Sequence, residues 1–198
     1  METKKQSVMN VPNCLSLARM VMAFFFVASV LYIKEGIWSA IVPALWFGLA
    51  SLTDMLDGMI ARKYNLISDF GKFLDPLADK FLVFSALACI LASERYDAIA
   101  PVFVWVAVVL MLRELGVTSM RLVVASKNVV VAASFFGKAK TCTQIAGILV
   151  ILLEPLMGAF GDTHILSYIL MGGMIVTTIG SGIDYLSTYM PYLTGKAE

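Results

Sequence analysis

The 198-residue chain is 60% hydrophobic with a mean hydropathy of +0.85, against about 45–50% apolar residues in soluble domains. That composition excludes a water-soluble globular enzyme, and a net charge of +1 without a basic run gives nucleic acid no footing as a partner. Cys14, Cys89 and Cys142 are odd in number and scattered through apolar stretches, so they read as small buried hydrophobes and not as a disulfide frame or a zinc site.

Apolar runs of bilayer length, about 20 residues each, fall near residues 14–33, 37–62, 70–93, 98–125, 135–156 and 164–190. They predict an all-α integral membrane protein of six transmembrane helices, forming one domain over residues 1–198. Residues 1–13, with Lys4, Lys5, Val8 and Met9, read either as a segment lying on the inner membrane surface or as a disordered tail. Arg19 interrupts the first run, which also continues past signal-peptide length, so a retained span is expected. With both termini in the cytoplasm, every Lys and Arg except Lys34 and Arg95 falls on the inner side, as the positive-inside rule requires.

The second helix is expected to begin at the interfacial aromatic Trp38, to tolerate Pro43 early, and to return to the cytoplasm at Arg62 and Lys63. Asp54 precedes Arg62 by about 12 Å of helix axis, which places it just below the inner surface. Asp54, Asp57, Gly58 and Ala61 recur at helical spacing and form one stripe; Gly71, Asp75 and Asp79 form another on the third helix. A short link makes these helices antiparallel neighbours, so the two stripes can face each other and converge four carboxylates on one cavity.

The fourth helix carries Arg113, Glu114 and Arg121 toward its cytoplasmic end, and the fifth opens with Gly137, Lys138, Ala139, Lys140 and Thr141. The sixth is rich in small residues, Gly172, Gly173, Thr177, Gly180, Ser181 and Gly182, which suit close packing within the bundle or between subunits. His164 falls in an outer loop far from the acids, where no catalytic role is expected.

A charged Asp at mid-helix costs about 2.5–3.5 kcal/mol on insertion scales, and four together repel one another, so cations are required. Carboxylates without neighbouring His or Cys suit Mg²⁺, Mn²⁺ or Ca²⁺ and argue against zinc. Mg²⁺ typically combines one or two carboxylates with substrate phosphates, which makes a two-metal site on a pyrophosphate the natural chemistry. Gly58, Ala61 and Gly71 leave room beside the acids for a bulky group, and Arg62 could hold a phosphate. Two other readings remain at this point: buried ion pairs of the acids with Arg62, Lys72 and Lys80, and a divalent-cation transporter. Against transport, the acids cluster toward the cytoplasmic end instead of the midplane, and no inverted copy of the motif is present.

Read as one pattern, Asp54, Asp57, Gly58, Ala61, Arg62, Gly71, Asp75 and Asp79 match every fixed position of the signature of the CDP-alcohol phosphotransferases. The chain further resembles, along most of its length, the bacterial branch that uses sn-glycerol 3-phosphate as acceptor. The matching pieces are Pro12 and Asn13 with Ser16 and Arg19; Arg113 and Glu114 with Thr118 and Arg121; Gly137, Lys138, Lys140 and Thr141 with Gln144; and Ser181, Gly182, Ile183, Asp184 and Tyr185. Ser16 stands where that branch usually has Thr, and no Pro follows Arg19 in the first helix.

The resemblance implies a six-helix, commonly homodimeric membrane enzyme with its active site on the cytoplasmic side of the plasma membrane. It implies Mg²⁺ or Mn²⁺, two ions, on Asp54, Asp57, Asp75 and Asp79, with Asp79 also the general base. Asp57, Gly58, Ala61, Arg62 and Gly71 would receive the CDP moiety of CDP-diacylglycerol, and Arg113, Arg121, Lys138 and Lys140 the acceptor phosphate. Within the family, inositol phosphate, serine or phosphatidylglycerol are the other acceptors to weigh, and the cations disfavour serine.

Overall fold

The computed structural model describes residues 11–64, 69–126, 135–158 and 163–193; the side chains of residues 11, 12, 56–64, 69–73, 75 and 193 lie outside that description. Six α-helices run through the described residues: α1 Val11–Tyr32, α2 Trp38–Tyr64, α3 Asp69–Ala92, α4 Ala100–Ser126, α5 Phe135–Leu153 and α6 Ile165–Leu193. Their bounds agree with the apolar runs to within a few residues. Short 3₁₀ turns at Glu94–Tyr96 and Glu154–Leu156 follow α3 and α5. The proposed interfacial segment falls almost wholly outside the described residues.

Four helical stretches among the described residues are long and apolar enough to cross a bilayer: Asn13–Tyr32, Ala100–Ser126, Phe135–Leu156 and Ile165–Tyr192. This all-helical chain is a membrane protein. The expectation of six spans is met in helix number and only in part in apolar character. In α2 the uncharged stretch ends at Asp54, after roughly 16 residues or about 24 Å, short of a hydrocarbon core about 30 Å thick. The N-terminal part of α3 carries Lys72, Asp75, Asp79 and Lys80.

The chain forms two compact units, residues 1–93 and 94–198. In the first, α1 lies along both α2 and α3, which among the described residues meet each other over a short stretch. The expected facing of the acid stripes of α2 and α3 falls largely on side chains outside the described residues. On the buried faces, Ala23 on α1, Ala40, Ala44 and Ala50 on α2, and Ala78 and Ala86 on α3 let α1 approach both helices closely. Phe26 of α1 and Phe47 of α2 fill the space between, with ring centroids 5.8 Å apart. Gly36 makes the turn before α2 at φ 71°, a conformation that suits glycine, and the Ser39 hydroxyl donates to its carbonyl at 2.5 Å.

In the second unit α6 takes the central place, packing along α4 and α5. Its buried residues, Ser167, Met171, Met174, Thr178, Ser181, Tyr185 and Tyr189, recur every three or four positions. Gly147 of α5 permits one close approach, since a Cβ there would sit 2.9 Å from the Met174 side chain. The Thr143 and Thr177 hydroxyls lie 2.8 Å apart, and Thr177 also donates to the Gly173 carbonyl. Hydroxyls that satisfy one another in this way suit a bundle surrounded by lipid.

The cysteines are all free, but only Cys89 is buried; Cys14 and Cys142 are exposed on their helices, contrary to the expectation of three buried hydrophobes. Trp46 stacks on Phe25 at 5.0 Å.

Truncation of the buried Phe26 to Ala should cost about 3–5 kcal/mol of stability through lost contacts and the cavity left behind. Leu31→Ala, on the outward face of the same helix, should cost far less. Thermal unfolding of the purified protein in detergent, with both variants side by side, checks the difference.

Candidate active site

The carboxylate end of the first unit is built by three helix faces that change character together. On α1 the buried stripe is apolar at Ala23, Phe26 and Val30 and becomes polar toward the N-terminus at Arg19, Ser16 and Asn13. On α2 the stripe of Ala40, Ala44, Phe47 and Ala50 leads to Asp54, and on α3 that of Ile90, Ala86 and Leu82 leads back to Asp79. Because α1 and α3 begin where α2 ends, the polar segments gather at one end of the unit. On α2 the approach to Asp54 is kept free of unsatisfied hydroxyls: Ser51 donates to the Phe47 carbonyl at 2.8 Å and Thr53 to the Ala50 carbonyl at 2.7 Å.

Asp54 has a partner that spacing within α2 did not reveal. Arg19 Nη1 lies 2.7 Å from Asp54 Oδ1; the Arg19 side chain is wholly buried, whereas that of Asp54 is 41% exposed. The guanidinium thus reaches the carboxylate from inside the bundle, while the acid keeps an open side. The sequence did carry a signal for this residue, a lone cation interrupting the first apolar run, but it gave no indication of its partner. Asp79 is half-buried on α3. Asp57, Gly58, Ala61 and Arg62 lie within the continuous helix α2, and Gly71 and Asp75 within α3. Their side chains are outside the described residues. Among the described residues no group of three or more His, Cys, Asp or Glu side chains forms a metal cage. The donors described, Asp54 and Asp79, are hard oxygen ligands of the type that Mg²⁺ and Mn²⁺ take.

The second unit holds a cationic cluster. Glu114 of α4 pairs with Lys140 of α5 and, at 3.1 Å, with Arg113. Arg113 Nη2 donates to the Ser181 hydroxyl on α6. Lys140 is only 5% exposed and lies against the Glu114 carboxylate. Arg113 and Arg121 both lie over the ring of Tyr185, 5.6 and 6.0 Å from its centroid, within the range of cation–π attraction. Tyr185 stacks in turn on Tyr189. Gly182 leaves room for the Arg113 stem, whose Cγ would lie 3.7 Å from a Cβ at that position.

Of the four cations assigned to an acceptor phosphate, the structure therefore brings Arg113, Arg121 and Lys140 into one network. Lys138 is exposed and outside it in every described contact. The sequence placed Glu114 and Tyr185 in matching pieces of the chain but gave neither a role, although an acid beside Arg113 in mid-helix was the available signal for Glu114. His164 lies elsewhere, with Nδ1 3.0 Å from the buried Glu154 Oε2 and a positive φ of 52°.

Comparison with known proteins gives the family of the chain. The CDP-alcohol phosphatidyltransferase family profile matches residues 9–180, which span parts of both units. A probable phosphatidylglycerophosphate synthase of Mycobacterium tuberculosis is 36% identical over 182 residues, covering 91% of this chain and 81% of the relative. The CDP-diacylglycerol–glycerol-3-phosphate 3-phosphatidyltransferase of Bacillus subtilis is 40% identical over 159 residues, covering 74% and 78%. The enzyme of the same name from Yersinia enterocolitica is 33% identical over 184 residues, covering 90% and 94%. With the acid positions on α2 and α3 and the family match running through most of its length, the chain belongs to the CDP-alcohol phosphatidyltransferase family.

Proposed function

We propose that this protein transfers the phosphatidyl group of CDP-diacylglycerol to sn-glycerol 3-phosphate, giving phosphatidylglycerophosphate and CMP. The observation that carries the reading is the gathering, at one end of the first unit, of the polar ends of three helix stripes, with Asp54 fixed by a buried guanidinium. The relatives named above are called enzymes of this reaction. We treat residues 1–198 as one catalytic domain with six spans, both termini cytoplasmic, acting as a homodimer in the plasma membrane with its site on the cytoplasmic side.

Asp54, Asp57, Asp75 and Asp79 would hold Mg²⁺ or Mn²⁺, two ions, which when bound screen the pyrophosphate and stabilise charge on departing CMP. Asp57, Gly58, Ala61, Arg62 and Gly71 receive the CDP moiety. Asp79 accepts the proton of the acceptor hydroxyl as the oxygen attacks the β-phosphorus. The bond from that phosphorus to the bridging oxygen breaks, and CMP departs with the electron pair. Arg113 and Arg121, held over Tyr185, and Lys140 and Lys138 on α5 supply positive charge for the acceptor phosphate. In the described cluster Arg113 and Lys140 share the Glu114 carboxylate and Arg121 lies over the Tyr185 ring, an arrangement that favours binding of a phosphate dianion.

CMP release from CDP-diacylglycerol and Mg²⁺, with acceptors supplied one at a time, tests the assignment. Turnover should require glycerol 3-phosphate; turnover with inositol phosphate, serine or phosphatidylglycerol instead would overturn it. Asp79→Asn should lower kcat by about 10²–10⁴-fold, the usual contribution of a general base, while CDP-diacylglycerol still binds; near-normal turnover would remove Asp79 from that role. Arg121→Gln should raise the KM for glycerol 3-phosphate roughly tenfold or more, as for loss of a charged hydrogen bond worth about 1.5–3 kcal/mol. The KM for CDP-diacylglycerol should change little, and an equal rise in both would refute the acceptor-site assignment.

A further inference from the structure

We propose that Arg19 is a positioning residue for Asp54: it holds one carboxylate oxygen from inside the bundle so that the other is presented to a divalent cation. The inference rests on the reading of Asp54 as a metal ligand and adds a residue outside the family signature.

Arg19 sits in the first apolar helix, within the span from Asn13 to Tyr32, and its side chain is wholly buried. A buried cation in such a place is tolerated only when paired. A salt bridge serving stability alone could be replaced by apolar residues at no loss, so its position has to be explained by what it pairs with. Arg19 is directed at Asp54 Oδ1, and Asp54 remains 41% exposed. An ionised carboxylate offers two oxygens and about four lone-pair sites, so a guanidinium on Oδ1 leaves Oδ2 able to coordinate.

Two further features favour positioning over simple neutralisation. The Arg19 face of α1 is continuous with the packed stripe of Ala23, Phe26 and Val30, so the guanidinium is carried by a fixed helix and not by a flexible surface stem. The guanidinium is planar, permanently charged and weakly hydrated, so it can stay buried and fix the plane of a carboxylate, which a lysine ammonium does less well. Partners placed behind metal ligands orient them, here through an ion pair, and their loss typically costs about 10–100-fold in metal affinity or activity. Mg²⁺ is the ion most sensitive to such disorder, because it demands near-octahedral geometry.

Mn²⁺ binding to the purified full-length protein, read from the loss of the free-ion electron paramagnetic resonance signal without substrates, tests the proposal. Asp54→Asn should lose the tightest binding. Arg19→Gln should weaken it by about 10–100-fold, and Arg19→Lys should recover part of the loss. The Mg²⁺ concentration for half-maximal CMP release should shift in parallel, while the KM for glycerol 3-phosphate at saturating Mg²⁺ stays unchanged. Mn²⁺ affinity equal to wild type in Arg19→Gln, with only thermal stability reduced, would show a purely structural ion pair and overturn the proposal. If Arg19→Gln does not fold, Arg19→Lys decides by itself: weaker Mn²⁺ binding supports positioning, and unchanged binding refutes it. Wild-type protein whose Mn²⁺ binding is indifferent to Asp54→Asn would overturn the metal reading of Asp54 as well.

Discussion

A positive charge buried in an apolar helix has to be met by a negative one, and in this protein the contact between Arg19 and Asp54 meets it. Much of the first unit follows from that requirement. The guanidinium can reach α2 only if α1 lies close against it, and the alanines on the buried faces of α1, α2 and α3 provide the close approach. The ion pair ties the start of the first helix to the acidic end of the second, while Phe26 and Phe47 lock the same two helices farther along. Packing and electrostatics therefore specify one register between α1 and α2, and that register sets where the Asp54 carboxylate stands.

The second unit meets the same difficulty with the signs reversed. Here an acid, Glu114, lies among cations, and α6 brings hydroxyl and aromatic groups to receive them. Tyr185 offers its ring to both Arg113 and Arg121, so the two guanidinium groups are oriented without each needing a carboxylate of its own. Positive charge held in this way is what an anionic substrate can use. In both units a central helix carries a buried face that is apolar over much of its length and polar or aromatic at one end, α1 through Arg19 and α6 through Ser181 and Tyr185.

Much of this was legible in the sequence, for definite reasons. Helix positions followed from apolar runs broken by charges and turns, and the acid spacing on α2 and α3 survives because those helices are continuous through the signature. Partner choice was less legible. Spacing within α2 and α3 gives the face on which Asp54 and Asp79 lie, but it is silent about a third helix lying along both, and so α1 was missed as the common neighbour. For the same reason Arg19 was read as a break in a hydrophobic run and Glu114 only as a neighbour of Arg113 on the fourth helix, when each is paired with a residue on another helix. Cys14 and Cys142 were misjudged because in a lipid-facing helix an apolar residue is as suited to the outer face as to the core.

The central claim is that the acidic end of α2 and α3 serves a metal-dependent encounter with a CDP-linked lipid. Equilibrium binding of CDP-diacylglycerol to the protein in lipid nanodiscs, with Mg²⁺ and then with excess chelator and in the absence of any acceptor, tests it most directly. Binding should be strong with Mg²⁺ and lost when the metal is removed. Binding equally tight in chelator would contradict a role for the carboxylates in holding the nucleotide through metal.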